Sequence, residues 1–180
     1  MKTITTTLYE YDELSNEAKE KAIEEMYNIN VDYDWWDYSY ADAENIGLKI
    51  TGFDIDRGSY CSGDFIESAE ETAEKIIANH GETCETYRTA KDYLAERSAL
   101  VVKYSDGINT NVVTEENEYD FDCECDDIDA EFLRSLLEDY RIILQHEYEY
   151  LTSEEAIIET IQANEYHFSE NGSFGKKAYA

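Results

Sequence analysis

The chain has 180 residues, with 43 Asp plus Glu against 14 Lys plus Arg and a formal net charge of -29 at pH 7. Its 42% hydrophobic and 13% aromatic residues, 16 of them Tyr, supply enough apolar surface for a core, which excludes a disordered acidic tail. Anionic lipid would repel such a charge, and no segment approaches the roughly 18 apolar residues of a membrane span. The lysines and arginines are too few and scattered for direct nucleic-acid binding.

Proline is absent and no Gly/Ser-rich run marks a linker, so residues 1–180 read as one compact acidic domain. Residues 4–11, rich in Thr and Tyr, read as a strand. Ser15 has the chemistry of an N-cap, and Leu14, Ala18, Ala22, Ile23 and Met26 follow at helical spacing to about Tyr27. Residues 34–45 form a second helical candidate carrying Trp35, Trp36, Tyr38 and Tyr40, closed by Gly47. Residues 48–56 read as a strand whose apolar phase shifts from Leu48 and Ile50 to Phe53 and Ile55, which predicts a bulge at Gly52. Arg57-Gly58 is a turn signal, and residues 59–66 complete a hairpin.

Ser68-Ala69-Glu70-Glu71 matches a capping box, opening a helix with Ala73, Ile76 and Ile77 inside and a stop near Gly81. A further helix from about Glu82 uses Tyr87, Ala90, Tyr93 and Leu94, with residues 100–102 as either its last turn or a short strand. Asp106-Gly107 is a turn signal. Residues 128–150 carry the clearest helical stripe: Phe132, Leu133, Leu136, Leu137, Tyr140, Ile143 and Leu144. Thr152-Ser153-Glu154-Glu155 reads as a capping box for a helix with Ile157, Ile158 and Ile161. Tyr166 and Phe168 alternate with polar residues before an Asn171-Gly172 turn, as in a closing strand, and a tail follows from Lys176. The expected class is α+β, with several helices on one face of a small, mostly antiparallel sheet.

The charge is densest over residues 115–131, which contain ten carboxylates and no basic side chain. Glu118, Asp120, Asp122, Glu124 and Asp126 alternate with Tyr119, Phe121, Cys123 and Cys125. Strict period two predicts a strand with carboxylates on one face, repeating every ~6.6 Å, about twice the axial phosphate rise of one DNA strand. A solvated edge strand protected by charge explains the same pattern. So much charge, however, exceeds what solubility requires. The expected partner-binding residues are therefore Glu115, Glu116, Glu118, Asp120, Asp122, Glu124, Asp126 and Asp127, joined by Asp34, Trp35, Trp36 and Asp37, where aromatics beside acids suit a hot spot against a basic partner.

Other constellations are weaker. Counting from Asp120, carboxylates fall at positions one, three, five, seven and twelve of an EF-hand-like loop, but Cys125 stands where Gly is needed. Asp54-Ile55-Asp56 reads as the wet face of a strand. The spacings of His80, Cys84, Cys123 and Cys125 fit no standard zinc pattern, and Cys123 and Cys125 at the apolar phase read as buried thiols. No phosphate loop or nucleophile motif is present, so the sequence calls for no catalytic residue, metal or cofactor.

The opening residues 9–19 (Tyr-Glu-Tyr-Asp-Glu-Leu-Ser-Asn-Glu-Ala-Lys), residues 52–58 and residues 165–168 resemble small proteins of phage and prophage genomes. In size and acidity the chain is similar to phage-encoded anti-CRISPR proteins that inhibit type II RNA-guided DNA nucleases. That resemblance implies a non-enzymatic inhibitor acting as a DNA mimic in the channel that reads the duplex motif beside the target. The implied partner is a guide-RNA-loaded nuclease, whose basic channel carboxylates can engage. The alternatives are an acidic binding module for another basic partner, such as a restriction enzyme, toxin or histone-like protein, or a Ca²⁺- or Mg²⁺-binding protein. The N-terminus has no apolar leader, so the expected location is the cytoplasm of a bacterial host, with the four cysteines reduced.

Overall fold

The computed structural model describes residues 7–105, 113 and 117–175. In chain order its elements are β1 (Tyr9–Glu10), α1 (Asn16–Glu25), α2 (Asp37–Asn45), β2 (Leu48–Asp54), β3 (Tyr60–Phe65), α3 (Ala69–Asn79), α4 (Glu85–Lys103), α5 (Glu118–Leu151), α6 (Glu154–Ala163), β4 (His167–Phe168) and β5 (Phe174–Gly175), with a 3-10 turn at Tyr11–Glu13. The chain is α+β, as its pattern predicts. The strands pair antiparallel in two small sheets, β1-β4-β5 and β2-β3. Two compact units emerge: one holds the chain up to Trp35 and from His146 onward, the other runs from Trp36 to Gln145.

In the first unit, Ser15 Oγ accepts from the Ala18 amide at 3.3 Å and starts α1. Ser153, one residue beyond the expected Thr152, caps α6 in the same way. The strand expected over residues 4–11 amounts, in its described part, to Tyr9 and Glu10, because the Glu10 amide donates to Glu13 Oε2 at 2.9 Å and the backbone turns. Tyr11, Leu14, Ala18, Ala22, Ile157, Ile161 and Phe168 form the core. Each large side chain buried there is worth roughly 1.5–3 kcal/mol. Gly172 has φ 83°, and a Cβ there would lie 2.1 Å from the Ala18 carbonyl oxygen, so only glycine lets the last turn close on α1.

In the second unit, β2 and β3 form the expected hairpin, with the register shifting between Ile50 and Gly52. The shift lets Leu48 and Ile50 enter the core while Phe53 meets the Trp36 and Tyr40 rings at 5.5 and 6.1 Å. Ser68 and Glu71 close a capping box at the start of α3. Residues 100–102 are the last turns of α4. Lys103 meets Glu124 and Thr89 meets Asp139, so α4 runs antiparallel to α5. Phe132 is stacked against Tyr93 at 4.3 Å and Phe65 at 5.6 Å, among Ile46, Leu48, Ile76, Leu136 and Tyr140.

Candidate functional site

The acidic stretch is helical. α5 begins at Glu118 and continues unbroken through the positions expected to form a strand. Two patterns compete in these residues. The period-two set is Tyr119, Phe121, Cys123 and Cys125; the helical set is Phe121, Cys125, Ile128 and Phe132, at i, i+4, i+7 and i+11. Burial decides between them: Cys125 and Phe132 are buried and Phe121 and Ile128 partly so, whereas Tyr119 is 78% exposed and Cys123 is exposed. Extending an existing helix avoids the nucleation cost, and carboxylates at its N-terminus favour the helix dipole. The expectation of two buried thiols is corrected with it, since only Cys125 is inside. So is the EF-hand-like reading, because the twelve positions from Asp120 to Glu131 lie in continuous helix and radiate from its axis.

At 100° per residue the carboxylates form two stripes flanking the buried face. Glu118, Asp122, Asp126 and Asp129 lie along one, and Asp120, Glu124, Asp127 and Glu131 along the other. Three of them have cations. The Lys103 ammonium donates to both Glu124 oxygens at 2.6 and 2.7 Å, and the Tyr104 hydroxyl donates at 2.8 Å, which holds the Glu124 carboxyl below its ordinary pKa. Asp129 accepts from the Tyr93 hydroxyl at 2.7 Å and from Arg97 at 3.2 Å, and Arg97 also reaches Glu70. Glu131 pairs with Arg134. Among the described residues, no cation stands within ion-pair distance of Glu118, Asp120, Asp122, Asp126 or Asp127, all of them exposed. Glu115 and Glu116 lie outside the described residues.

The second expected cluster changes more. Trp35 is only 7% exposed and its ring lies 5.6 Å from Tyr148, so it is a core anchor, which corrects its assignment as a partner contact. Trp36 is half-buried against Phe53 in the other unit, and Asp34 and Asp37 are exposed.

Sequence reasoning passed over a polar cluster in the second unit. The fully buried Tyr140 donates its hydroxyl to Asp42 Oδ2 at 2.7 Å. His80 Nε2 lies 3.5 Å from Asp42 Oδ1, and His80 Nδ1 is 2.7 Å from Thr86 Oγ1. The interaction with His80 holds the Asp42 carboxyl below its usual range, while burial followed by the Asp42 charge raises the Tyr140 phenol far above its own. This cluster fastens α2, α3, α4 and α5 together. Only the tyrosine within an apolar stripe hinted at it. Among the described residues, no group of three or more His, Cys, Asp or Glu is placed to hold a metal ion, and no helix is long and apolar enough to cross a membrane.

No family model, curated protein or solved structure matches the chain.

Proposed function

We propose that this chain is a non-enzymatic binding protein whose α5 carboxylates occupy the phosphate-binding surface of a basic nucleic-acid-binding protein. One observation carries the reading: the exposed run of Glu118, Asp120, Asp122, Asp126 and Asp127 on a single helix, with no cation at ion-pair distance among the described residues. Beyond the first turn, like charges at i and i+4 such as Glu118–Asp122 and Asp122–Asp126 destabilise a helix, so carboxylates kept there with no cation at ion-pair distance among the described residues favour a role outside the fold. A surface built to neutralise phosphates offers arginines that pair bidentately with carboxylates. The specific form of the proposal, implied by the resemblance to anti-CRISPR proteins, is inhibition of a guide-RNA-loaded type II nuclease by exclusion of target DNA.

The test is competition. Labelled duplex DNA bound to the purified guide-loaded nuclease is titrated with the chain across a salt series. In parallel, a restriction enzyme and a histone-like protein serve as other basic partners. The expected result is displacement of DNA that weakens as salt rises and is lost when Asp120, Asp122 and Asp127 are changed to Lys. Absence of displacement from all of them at low salt would refute the binding reading. Displacement from only a non-CRISPR partner would refute the specific form.

A further inference from the structure

The polar cluster of the second unit contains one unpaired atom. His80 Nε2 is sealed from solvent and, among the described residues, is the one buried side-chain nitrogen or oxygen with no hydrogen-bond partner. The side chain is 11% exposed, and its other ring nitrogen is already engaged: Nδ1 lies 2.7 Å from Oγ1 of the buried Thr86, in the first turn of α4. Facing Nε2 at 3.5 Å is Asp42 Oδ1, while Asp42 Oδ2 accepts from the Tyr140 hydroxyl. A buried polar atom left unpaired costs free energy and calls for an explanation.

A proton supplies one. A neutral imidazole has a single N–H. Where Nδ1 carries it, the bare lone pair of Nε2 faces a carboxylate. Where Nε2 carries it, the 3.5 Å contact is too long for a good bond. Only the imidazolium donates from both nitrogens. Closing by about 0.7 Å would bring Nε2 to the charge-assisted length of about 2.8 Å. No larger ligand has access to the sealed nitrogen, and among the described residues no set of three imidazoles, thiols or carboxylates is placed to hold a metal.

The groups around the pair favour a positive charge. Asp42, from α2, is held below its ordinary range by His80, so it stays ionised wherever an imidazole titrates. From α5, burial keeps the Tyr140 phenol neutral, and Asp139 adds its carboxylate beside Tyr140. From α4, Glu85 acts on Asp139. From β3, burial pushes the Cys61 thiol up to about 11, which leaves it uncharged. Among the described residues, no lysine or arginine stands at ion-pair distance from Asp42. Protonation therefore turns a lone carboxylate into a neutral pair, in a chain whose net charge is -29. The half-exposed Asp42 gives the proton a path from solvent.

We propose that His80 and Asp42 form a proton-operated tie: uptake of a proton at Nε2 converts their contact into a hydrogen-bonded ion pair that draws the end of α3 and the first turn of α4 onto α2. Burial of the ring opposes its charging, and the carboxylate opposite outweighs that cost. The unfolded chain lacks this bond. The tie's contribution is complete below the ordinary histidine range, about 6.5, and is lost as pH rises above it. It uses none of the carboxylates of residues 118–131, so it stands or falls apart from the binding reading.

The test has two arms. In the first, ring ¹⁵N correlation spectra of the full chain are recorded from pH 5 to 8.5, with His146 and His167 as internal references. The expected result is that His80 gains a second ring proton on acidification, one slow to exchange with water. Asp42→Asn should take up that proton about tenfold less readily. In the second, urea unfolding of the parent and of His80→Gln is compared at pH 5.5 and pH 8. The folded-to-unfolded ratio should drop about five- to tenfold more across that range in the parent than in the variant. The comparison cancels the pH dependence contributed by the other carboxylates. Should His80→Gln not fold, the spectra decide alone. A His80 ring still singly protonated at pH 5.5, proton uptake unchanged by Asp42→Asn, or equal pH dependence in parent and His80→Gln would overturn the proposal.

Discussion

If the outward carboxylates of α5 serve a partner, removing two of them should stabilise the protein and weaken binding together. Asp122 and Asp126 are exposed, lie beyond the first helical turn and have no cation at ion-pair distance among the described residues. Changing both to Asn abolishes the repulsive pairs Glu118–Asp122, Asp122–Asp126 and Asp126–Asp129, each worth ~0.2–0.5 kcal/mol. Asn and Asp have similar helix propensity, so the electrostatic gain stands almost alone, at about 1 kcal/mol in low salt. For a chain of this length that corresponds to a rise in Tm of roughly 2–4 °C. The assay is urea unfolding followed by far-UV circular dichroism at 10 mM and 1 M NaCl. At 1 M the screening length falls to about 3 Å, and most of the gain should vanish. A double variant no more stable than the parent at low salt, or a gain equal at both salts, would refute the argument that these charges oppose the fold.

Further predictions concern the elements that hold the surface in place. Tyr140→Phe removes a fully buried hydroxyl bonded to Asp42 and should cost about 1–2 kcal/mol, read from the urea midpoint; an unchanged midpoint would show that the cluster adds nothing. Burial raises the Asp139 pKa, so the folded state binds this proton more tightly than the unfolded chain, and stability falls as pH rises through the carboxylate range and above. Asp139→Asn should therefore stabilise the protein at pH 7, with the gain disappearing toward pH 3, as measured by melts across pH. Asp42 acts with the opposite sign: its depressed pKa contributes stability at neutral pH that is lost as pH falls through the folded-state value, so Asp42→Asn should destabilise at pH 7 and lose its effect in acid. Gly172→Ala combines a left-handed φ with a clash on the Ala18 carbonyl and should cost about 2 kcal/mol or more in the thermal melt.

Where local chemistry and hydrophobic period agree, the sequence was readable. Ser15 and Ser68 cap the helices they were expected to start, Gly52 marks the bulge in β2, and of the stripe from Phe132 to Leu144 the residues Phe132, Leu136, Tyr140 and Leu144 are buried, while Ile143 is exposed. The acidic stretch was misread because two periods are written into the same residues. Tyr119 and Cys123 complete an alternation that looks like a strand, yet they are the residues left outside when Phe121, Cys125, Ile128 and Phe132 turn inward. A window ending at Asp126 cannot separate the two readings. A window reaching Phe132 can, because only the helical set continues. Trp35 and Trp36 pose the same problem at shorter range. Adjacent residues must face differently, but only tertiary contacts decide that Tyr148 receives one ring and Phe53 the other. The Asp42–Tyr140 bond joins residues 98 apart and has no local signature.

The change from strand to helix alters how the charge would meet a basic groove. A strand presents one ladder of carboxylates on one face. The helix presents two stripes around a cylinder about 10–12 Å wide, so a partner can contact both only by enclosing the helix. From Glu118 to Glu131 the helix rises about 20 Å and carries eight carboxylates, one per ~2.5 Å, against one charge per ~1.7 Å of duplex axis. Pairing of Glu124, Asp129 and Glu131 with Lys103, Arg97 and Arg134 thins that density and concentrates what remains in Glu118, Asp120, Asp122, Asp126 and Asp127, toward the N-terminal end of α5. On the proposed reading the acidic end is therefore the part of the helix best matched to a phosphate-binding groove, whereas Glu124 and Asp129, paired with Lys103 and Arg97, belong to the α4–α5 packing and Glu131 pairs within α5. Reversing Glu124 should accordingly perturb the fold as well as binding, whereas reversing Asp120 should perturb binding alone.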